Sequence, residues 1–280
     1  MKILLTGATG FIGGHIKTAL IAAGHELVPC SRQSGCDFNR MTSAQDWLPM
    51  LDGVDAVINA VGIIVESKDQ HFDVLHRQAP VALFKACAEK GVKKVIQISA
   101  LGADENSFTP YQLSKKAADD TLRSLDTLDW FILQPSLVYG EGGESMKMFS
   151  LLASLPVIPL VGDGQYQVQP VHVSDVVATV MKCLEPDAKA HQTLAVVGAY
   201  PLSFAEWMQK IRQSKGRKRG LLFKTPFALM LQFANIGKFI MPVMSPDNLK
   251  MLKAGNTADV GPVNAFLGCS TLSPEQGLQR

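Results

Sequence analysis

The chain has 280 residues, of which 47% are hydrophobic and 19% charged. That is enough apolar surface for a large core and excludes a disordered polymer. Twenty-seven basic against 25 acidic residues leave a formal net charge of +2, too little to make nucleic acid the main partner. The one basic run, Lys215 to Arg219, reads as a solvated loop.

Residues 4–14, LLTGATGFIGG, set Gly7, Gly10 and Gly13 between an apolar strand, Ile3 to Thr6, and a helix in which Ile12, Ile16, Ala19 and Leu20 recur at helical spacing. Gly7 permits a tight turn, Gly10 lets backbone approach phosphates, Gly13 allows close packing, and the helix start offers N–H groups to an anion. A dinucleotide pyrophosphate is expected there. Further strands are predicted at Glu26 to Cys30, Ala56 to Ala60, Lys94 to Ser99, Trp130 to Leu133 and Thr193 to Val197. They alternate with helices at Gly13 to Ala23, Ala79 to Lys90, Tyr111 to Ser124 and Ser174 to Leu184, the first two stopped by Gly24 and Gly91. Such alternation predicts an α/β fold, a doubly wound parallel sheet of the Rossmann type.

The expected division is a dinucleotide-binding domain over residues 1–200, with 136–170 as a substrate-covering insertion, and a helical region over 201–280. Met146, Met148, Phe149, Leu151 and Leu152 in the insertion suit either a pocket for a quinone or other lipophilic ketone, or plain lid packing. Leu221 to Val243 is too interrupted to cross a bilayer, with Lys224, Pro226, Gln232, Asn235 and Lys238 inside it. It reads as a core helix, a dimer surface or an interfacial anchor making peripheral membrane contact, and the oligomeric state stays open. Lys2 runs straight into a strand without a signal-peptide pattern, so the expected compartment is cytoplasmic. Cys30, Cys36, Cys87, Cys183 and Cys269 lack CxxC and zinc-ligand spacing, so free thiols and no metal are expected.

Ser99 closes a strand, and Tyr111 and Lys115 follow four residues apart on a helix, so phenol and ammonium share a face. Acid–base work by a tyrosine near neutrality needs about 4 kcal/mol of phenolate stabilisation, which a nearby cation and a cofactor ribose could supply. Ser99 would then hold a substrate oxygen. His172 and Asp175 are weaker candidates, since Ser174-Asp175 reads first as a helix start. The second strand ends in Ser31 and Arg32, with no acid before Asp37. An arginine there accepts a 2′-phosphate where an acid would hold a ribose 2′-hydroxyl, so NADP(H) is favoured over NAD(H). The alternative is a solvated Arg32.

The glycine turn Thr6 to Gly13, Asn59-Ala60-Val61-Gly62, Ser99, the Tyr111/Lys115 pair and Pro135-Ser136-Leu137-Val138-Tyr139-Gly140 together resemble the short-chain dehydrogenase/reductase superfamily. Ile98 to Ala103 and Gln169 to Val176 point to its atypical branch, similar to the NAD(P)H-binding accessory subunit of respiratory complex I. The resemblance implies hydride transfer between nicotinamide and a carbonyl or alcohol. It implies that Thr6, Gly7, Thr9, Gly10, Phe11, Ile12 and Gly13 line the pyrophosphate and that Asp37 and Phe38 approach the adenine. Asn59, Ala60, Val61 and Gly62 would lie along the cofactor, Lys115 would bind the nicotinamide ribose, and Pro135 and Ser136 would flank the nicotinamide. Two departures stand out. His76 occupies the register of the usual asparagine, as a polar bridge or a structural histidine. The Ser-to-Tyr spacing is shorter than in the sugar epimerases, which argues against that activity. The other reading is a non-catalytic protein that holds NADPH structurally or senses redox state.

Overall fold

A computed structural model describes residues 1–30, 35–237 and 245–280. The chain begins β1 Lys2–Thr6, α1 Phe11–Ala22, β2 Glu26–Cys30, α2 Ala44–Trp47, β3 Ala56–Asn59, α3 Ala79–Lys90, β4 Lys94–Ile98, α4 Pro110–Arg123 and β5 Asp129–Pro135. It continues β6 Val138–Tyr139, α5 Glu144–Ser154, β7 Val157–Val161, β8 Gln167–Val168, β9 Val171–His172, α6 Val173–Leu184, β10 Gln192–Val196, β11 Leu202–Ser203, α7 Phe204–Ser214 and β12 Leu221–Thr225. Four helices end it: α8 Phe227–Gly237, α9 Pro246–Ala254, α10 Gly261–Leu267 and α11 Pro274–Gly277. Two compact units result, one of Met1–Pro135 with Val176–Leu194, the other of Ser136–Asp175 with Ala195–Arg280.

In the first unit a six-stranded sheet runs β10-β5-β4-β3-β1-β2. The pairings of β1 with β2 and β3, of β3 with β4, and of β4 with β5 are all parallel. The order reverses between β1 and β3, and in open sheets of this kind the crevice beyond the strand ends at such a reversal is where ligands bind. Strands β3 and β4 are buried throughout, as expected of strands covered on both faces. Leu83, Phe84, Ala86 and Cys87 of α3 pack into the same core as Val57 and Val95, each at 0% exposure. Burying a leucine or phenylalanine in this way stabilises by about 2–3 kcal/mol. Gly24 and Gly91 stop α1 and α3 in left-handed conformations, φ 76° and 75°. Before α3 lies a π-helical turn, Asp73–Gln78, closed by the Ala79 N–H on the Val74 carbonyl, five residues back. Cys30 and Cys36 are bonded to each other with Cα atoms 5.2 Å apart. The expectation of free thiols therefore holds for Cys87, Cys183 and Cys269 alone.

The second unit has its own core around Trp207, Ile211, Ile158 and Leu160, all at 0% exposure. Its β7 pairs in parallel with β12, Val157 opposite Leu221 and Val161 opposite Thr225. This corrects the helical reading of residues from Leu221: the segment starts as a strand, and Pro226 marks the passage to α8. Residues 238–243 of that run lie outside the described residues.

Candidate active site

The first unit gathers most of the predicted residues at the carboxyl ends of β1, β3 and β4. Gly7 turns the chain out of β1 with φ 69°, and a Cβ there would lie 2.7 Å from the Ala60 carbonyl carbon and oxygen. A Cβ on Gly13 would lie 2.1 Å from the Gly7 oxygen. Only glycine fits either place, because the backbones of the turn, of α1 and of the β3 end touch. Gly10 differs: its Cβ would meet the Gly7 oxygen at 3.3 Å and nothing else. It caps α1 without a side-chain hydrogen bond, so the N–H groups of Phe11, Ile12 and Gly13 open the helix beside the exposed Thr9. Backbone this close, with a helix start bare of any side-chain cap, fits a dinucleotide pyrophosphate.

A buried ladder ties the three strand ends together. Thr6 Oγ1 donates to Asn59 Oδ1 at 2.5 Å, and Asn59 Nδ2 donates to Gln97 Oε1 at 2.7 Å. Asn59 Oδ1 also accepts from the Val61 N–H at 3.4 Å, which shapes the bend through Ala60 to Gly62. Phe38 turns its ring into the core, edge-on to Trp47 at 5.2 Å, so its backbone is the part left to a nucleotide. Asp37 accepts from the Asn39 N–H at 3.1 Å. Ser31 and Arg32, the basis for choosing between the two dinucleotides, lie outside the described residues.

Helix α4 carries the reactive pair. Thr109 caps it by accepting the Gln112 N–H at 3.3 Å, and Pro110 fixes its first turn. Lys115 Nζ donates to the carbonyls of Val61 at 3.1 Å and Ile98 at 3.0 Å, so the ammonium is held where β3 and β4 end. A Cβ on Gly62 would stand 3.3 Å from it, so glycine brings the backbone against the lysine. Burial lowers the Lys115 pKa to about 8, against the opposing pull of Asp119. Tyr111 sits one turn earlier, and burial followed by the Asp119 charge raises it to about 12. The expected lowering of the phenol by Lys115 is not what the site shows: desolvation and the Asp119 charge both raise it, and Tyr111 is a neutral acid.

Asp119, one turn after Lys115, is fully buried and was not singled out in the sequence. Ser99 Oγ donates to its Oδ2 at 2.5 Å, while its Oδ1 has no hydrogen-bond partner among the described residues. Burial raises its pKa to about 6 even though Ser99 and Lys115 pull the other way. The Ser99 proton is therefore given to a carboxylate. Its signal in the sequence was position alone, an acid one helical turn past Lys115.

His76 resolves as a structural residue. Its Nε2 accepts the Ile63 N–H at 3.0 Å, its Nδ1 meets Ser114 Oγ at 3.1 Å, and Ser114 donates on to the Tyr111 carbonyl at 2.8 Å. Burial, then Lys115, hold it neutral with a pKa well below the ordinary value. Its ring stacks on Phe72 at 5.3 Å and meets Tyr111 edge-on at 5.5 Å, so it braces the tyrosine.

Pro135 ends β5, its carbonyl accepting the Leu101 N–H at 2.9 Å. Ser136 belongs to the second unit, where its Oγ donates to the Gln169 carbonyl at 2.5 Å. There His172 Nδ1 accepts the Ser174 N–H at 3.3 Å, and Asp175 accepts the Leu272 N–H at 3.0 Å, which ties the start of α6 to the C-terminal segment.

The chain is 29% identical over 191 residues to a ceramide reductase of Caulobacter vibrioides, covering 64% of this chain and 59% of that one. It is 26% identical over 286 residues to the mitochondrial NADH dehydrogenase [ubiquinone] 1 alpha subcomplex subunit 9 of Arabidopsis thaliana, covering 93% and 71%. Its fold matches MoeE5 in complex with UDP-glucuronic acid and NAD at a TM-score of 0.74 and 22% identity, over 99% of this chain and 96% of that one. No helix among the described residues is long and apolar enough to cross a membrane. The family model for the NAD dependent epimerase/dehydratase family matches residues 3–198, and the chain belongs to that family, with the glycine turn, the Asn59 bend and the Tyr111/Lys115 helix all inside the matched span.

Proposed function

We propose that the chain is an NAD(P)H-dependent reductase acting on the carbonyl of an apolar substrate, a quinone or other lipophilic ketone, with NADP(H) as the preferred cofactor. The observation that carries this reading is the Tyr111/Lys115 pair on one face of α4, with the ammonium hydrogen-bonded to the Val61 and Ile98 carbonyls. Thr6 to Gly13 would hold the pyrophosphate, Ser31, Arg32, Asp37 and Phe38 the adenosine end, and Asn59 to Gly62 with Lys115 the remaining length. Pro135 and Ser136 would flank the nicotinamide. When bound, the nicotinamide supplies the hydride. Tyr111, its phenol kept protonated by desolvation and the Asp119 charge, donates its proton to the carbonyl oxygen as the carbon is reduced. Lys115 stabilises the phenolate left behind. Ser99 orients the substrate oxygen, and Asp119 sets how much of its proton is free to do so. The likeness to a ceramide reductase, named for a lipid, supports an apolar ketone. The Thr6–Gly13 turn supports the cofactor half independently. The proposed compartment is the cytoplasm, where Cys87, Cys183 and Cys269 stay reduced and the Cys30–Cys36 bond is an exception to the usual redox state.

The test is calorimetric titration of NADPH and NADH, then turnover on a quinone and ketone panel with the wild type and Tyr111→Phe. Tyr111→Phe is expected to lose about 10²- to 10⁴-fold in rate while binding NADPH normally. Unchanged turnover would remove Tyr111 from the mechanism. The second reading, a non-catalytic NADPH-binding protein, is favoured by the likeness to the Arabidopsis subunit over 93% of this chain. Tight NADPH binding without oxidation by any member of the panel would select it.

A further inference from the structure

The second unit leaves apolar side chains in water on both faces of one strand. Leu221 is 74% exposed, Phe223 60% and Leu222 40%. Val157, opposite Leu221 in the parallel register, is 45% exposed, and Leu155 and Leu151 just before it are 40% and 58% exposed. Hydrogen bonds and strand pairing hold the segments that carry them together. Arg212 donates to the carbonyls of Ala153 and Leu155 at 2.8 and 2.7 Å, and Arg217 to that of Ser154 at 2.5 Å. The end of α5 and the loop after α7 are thereby clamped together, and the pairing of β12 with β7 sets the start of β12 next in line. Scattered exposed leucines need no explanation, but a contiguous set does.

The charge beside this patch is predominantly basic. Lys215, Arg217, Lys218, Arg219 and Lys224 are all exposed, in a chain whose net charge is only +2. Lys147 and Lys215 also line an open groove of about 500 Å³ together with Met146 and Leu151, with Glu141 as its one acid. Lysine is depleted at protein–protein interfaces, whereas basic residues bordering exposed leucine and phenylalanine match an interfacial lipid site. There the apolar side chains enter the acyl boundary, and the long basic ones reach the phosphate plane.

We propose that β12, the end of α5 and the basic loop 215–219 form a docking face for an anionic phospholipid bilayer. This places the contact on a strand and a loop and is independent of the reductase reading. Full-length protein is sedimented with phosphatidylcholine vesicles and with mixed phosphatidylcholine–phosphatidylglycerol vesicles, at low and high salt. Binding to the anionic vesicles alone, weakened by salt, is expected. Leu221→Glu with Phe223→Glu, and separately Lys215→Glu with Arg219→Glu, should each lower the vesicle partition coefficient about tenfold or more. Retained circular dichroism and NADPH affinity would show that the variants are folded. Absence of wild-type binding, or binding that neither variant weakens, would overturn the docking face. So would light scattering that finds a dimer dissociated by the Leu221/Phe223 variant, since the occupant would then be a second copy of the chain.

Discussion

Ser99 has one hydroxyl proton, and it is committed to a hydrogen bond with Asp119. With Asp119 raised to about 6, the carboxylate is ionised above that pH and holds the Ser99 hydroxyl. Below it the protonated carboxyl can donate instead, which turns the serine's hydrogen outward. Carbonyl reduction is therefore expected to accelerate as pH falls through about 6. Asp119→Asn, whose amide can donate at every pH, should lose that limb of the kcat/KM profile. A profile unchanged in Asp119→Asn would separate the carboxyl from Ser99's role. His76 makes a pH prediction about stability. Its folded pKa is depressed, so the unfolded chain binds the extra proton first as pH drops below the ordinary value of about 6.5. Its contribution is complete above that pH and is lost on acidification, at up to about 1.4 kcal/mol per pH unit. Urea unfolding of the wild type and of His76→Gln at pH 7 and 5.5 should show a gap between them that closes at the lower pH.

At the scale of elements, the six strands of the first sheet were legible because each is a short apolar run between glycine stops or polar turns, and burial on both faces leaves little else for such a run to become. The glycine turn was legible for a related reason. Gly7 and Gly13 touch backbone, and no other residue type meets that demand. Substitutions should separate the glycines. Gly13→Ala must displace the turn or α1, and a loss of about 2 kcal/mol or more together with cofactor binding is expected. Gly10→Ala has room for its methyl, so its melting temperature should stay near wild type while NADPH affinity falls. Equal melting temperatures for the two variants would contradict the packing described for Gly13. The strand β12 was illegible because Leu221-Leu222-Phe223 carries no alternation when both faces are exposed. Asp119 and Ser114 were missed because an acid and a serine on a helix look solvated until the facing strand ends are known. His76 could be placed in the sequence but not decided, since both of its nitrogen partners come from distant segments.

At the scale of the molecule, every proposed cofactor residue within the described range except Ser136 falls in the first unit. NADPH at about 100 times its Kd should stabilise that unit by about 2.7 kcal/mol. Hydrogen exchange should then slow in Thr6–Gly13 and Asn59–Gly62 and stay unchanged in Phe204–Gly237; protection confined to the latter would place the nucleotide elsewhere. The π-helical turn Asp73–Gln78 bears on how such a site can change between generations. It holds one residue more than an α-helical turn in the same path. Loss of a single codon there would let α3 continue as an ordinary helix along the same path and would reposition only the residues inside the turn, His76 among them. His76 would leave its place against Tyr111 without any substitution at the tyrosine, the lysine or the glycines. A descendant could thus keep the nucleotide turn intact and shed the brace on its proton donor in one heritable step.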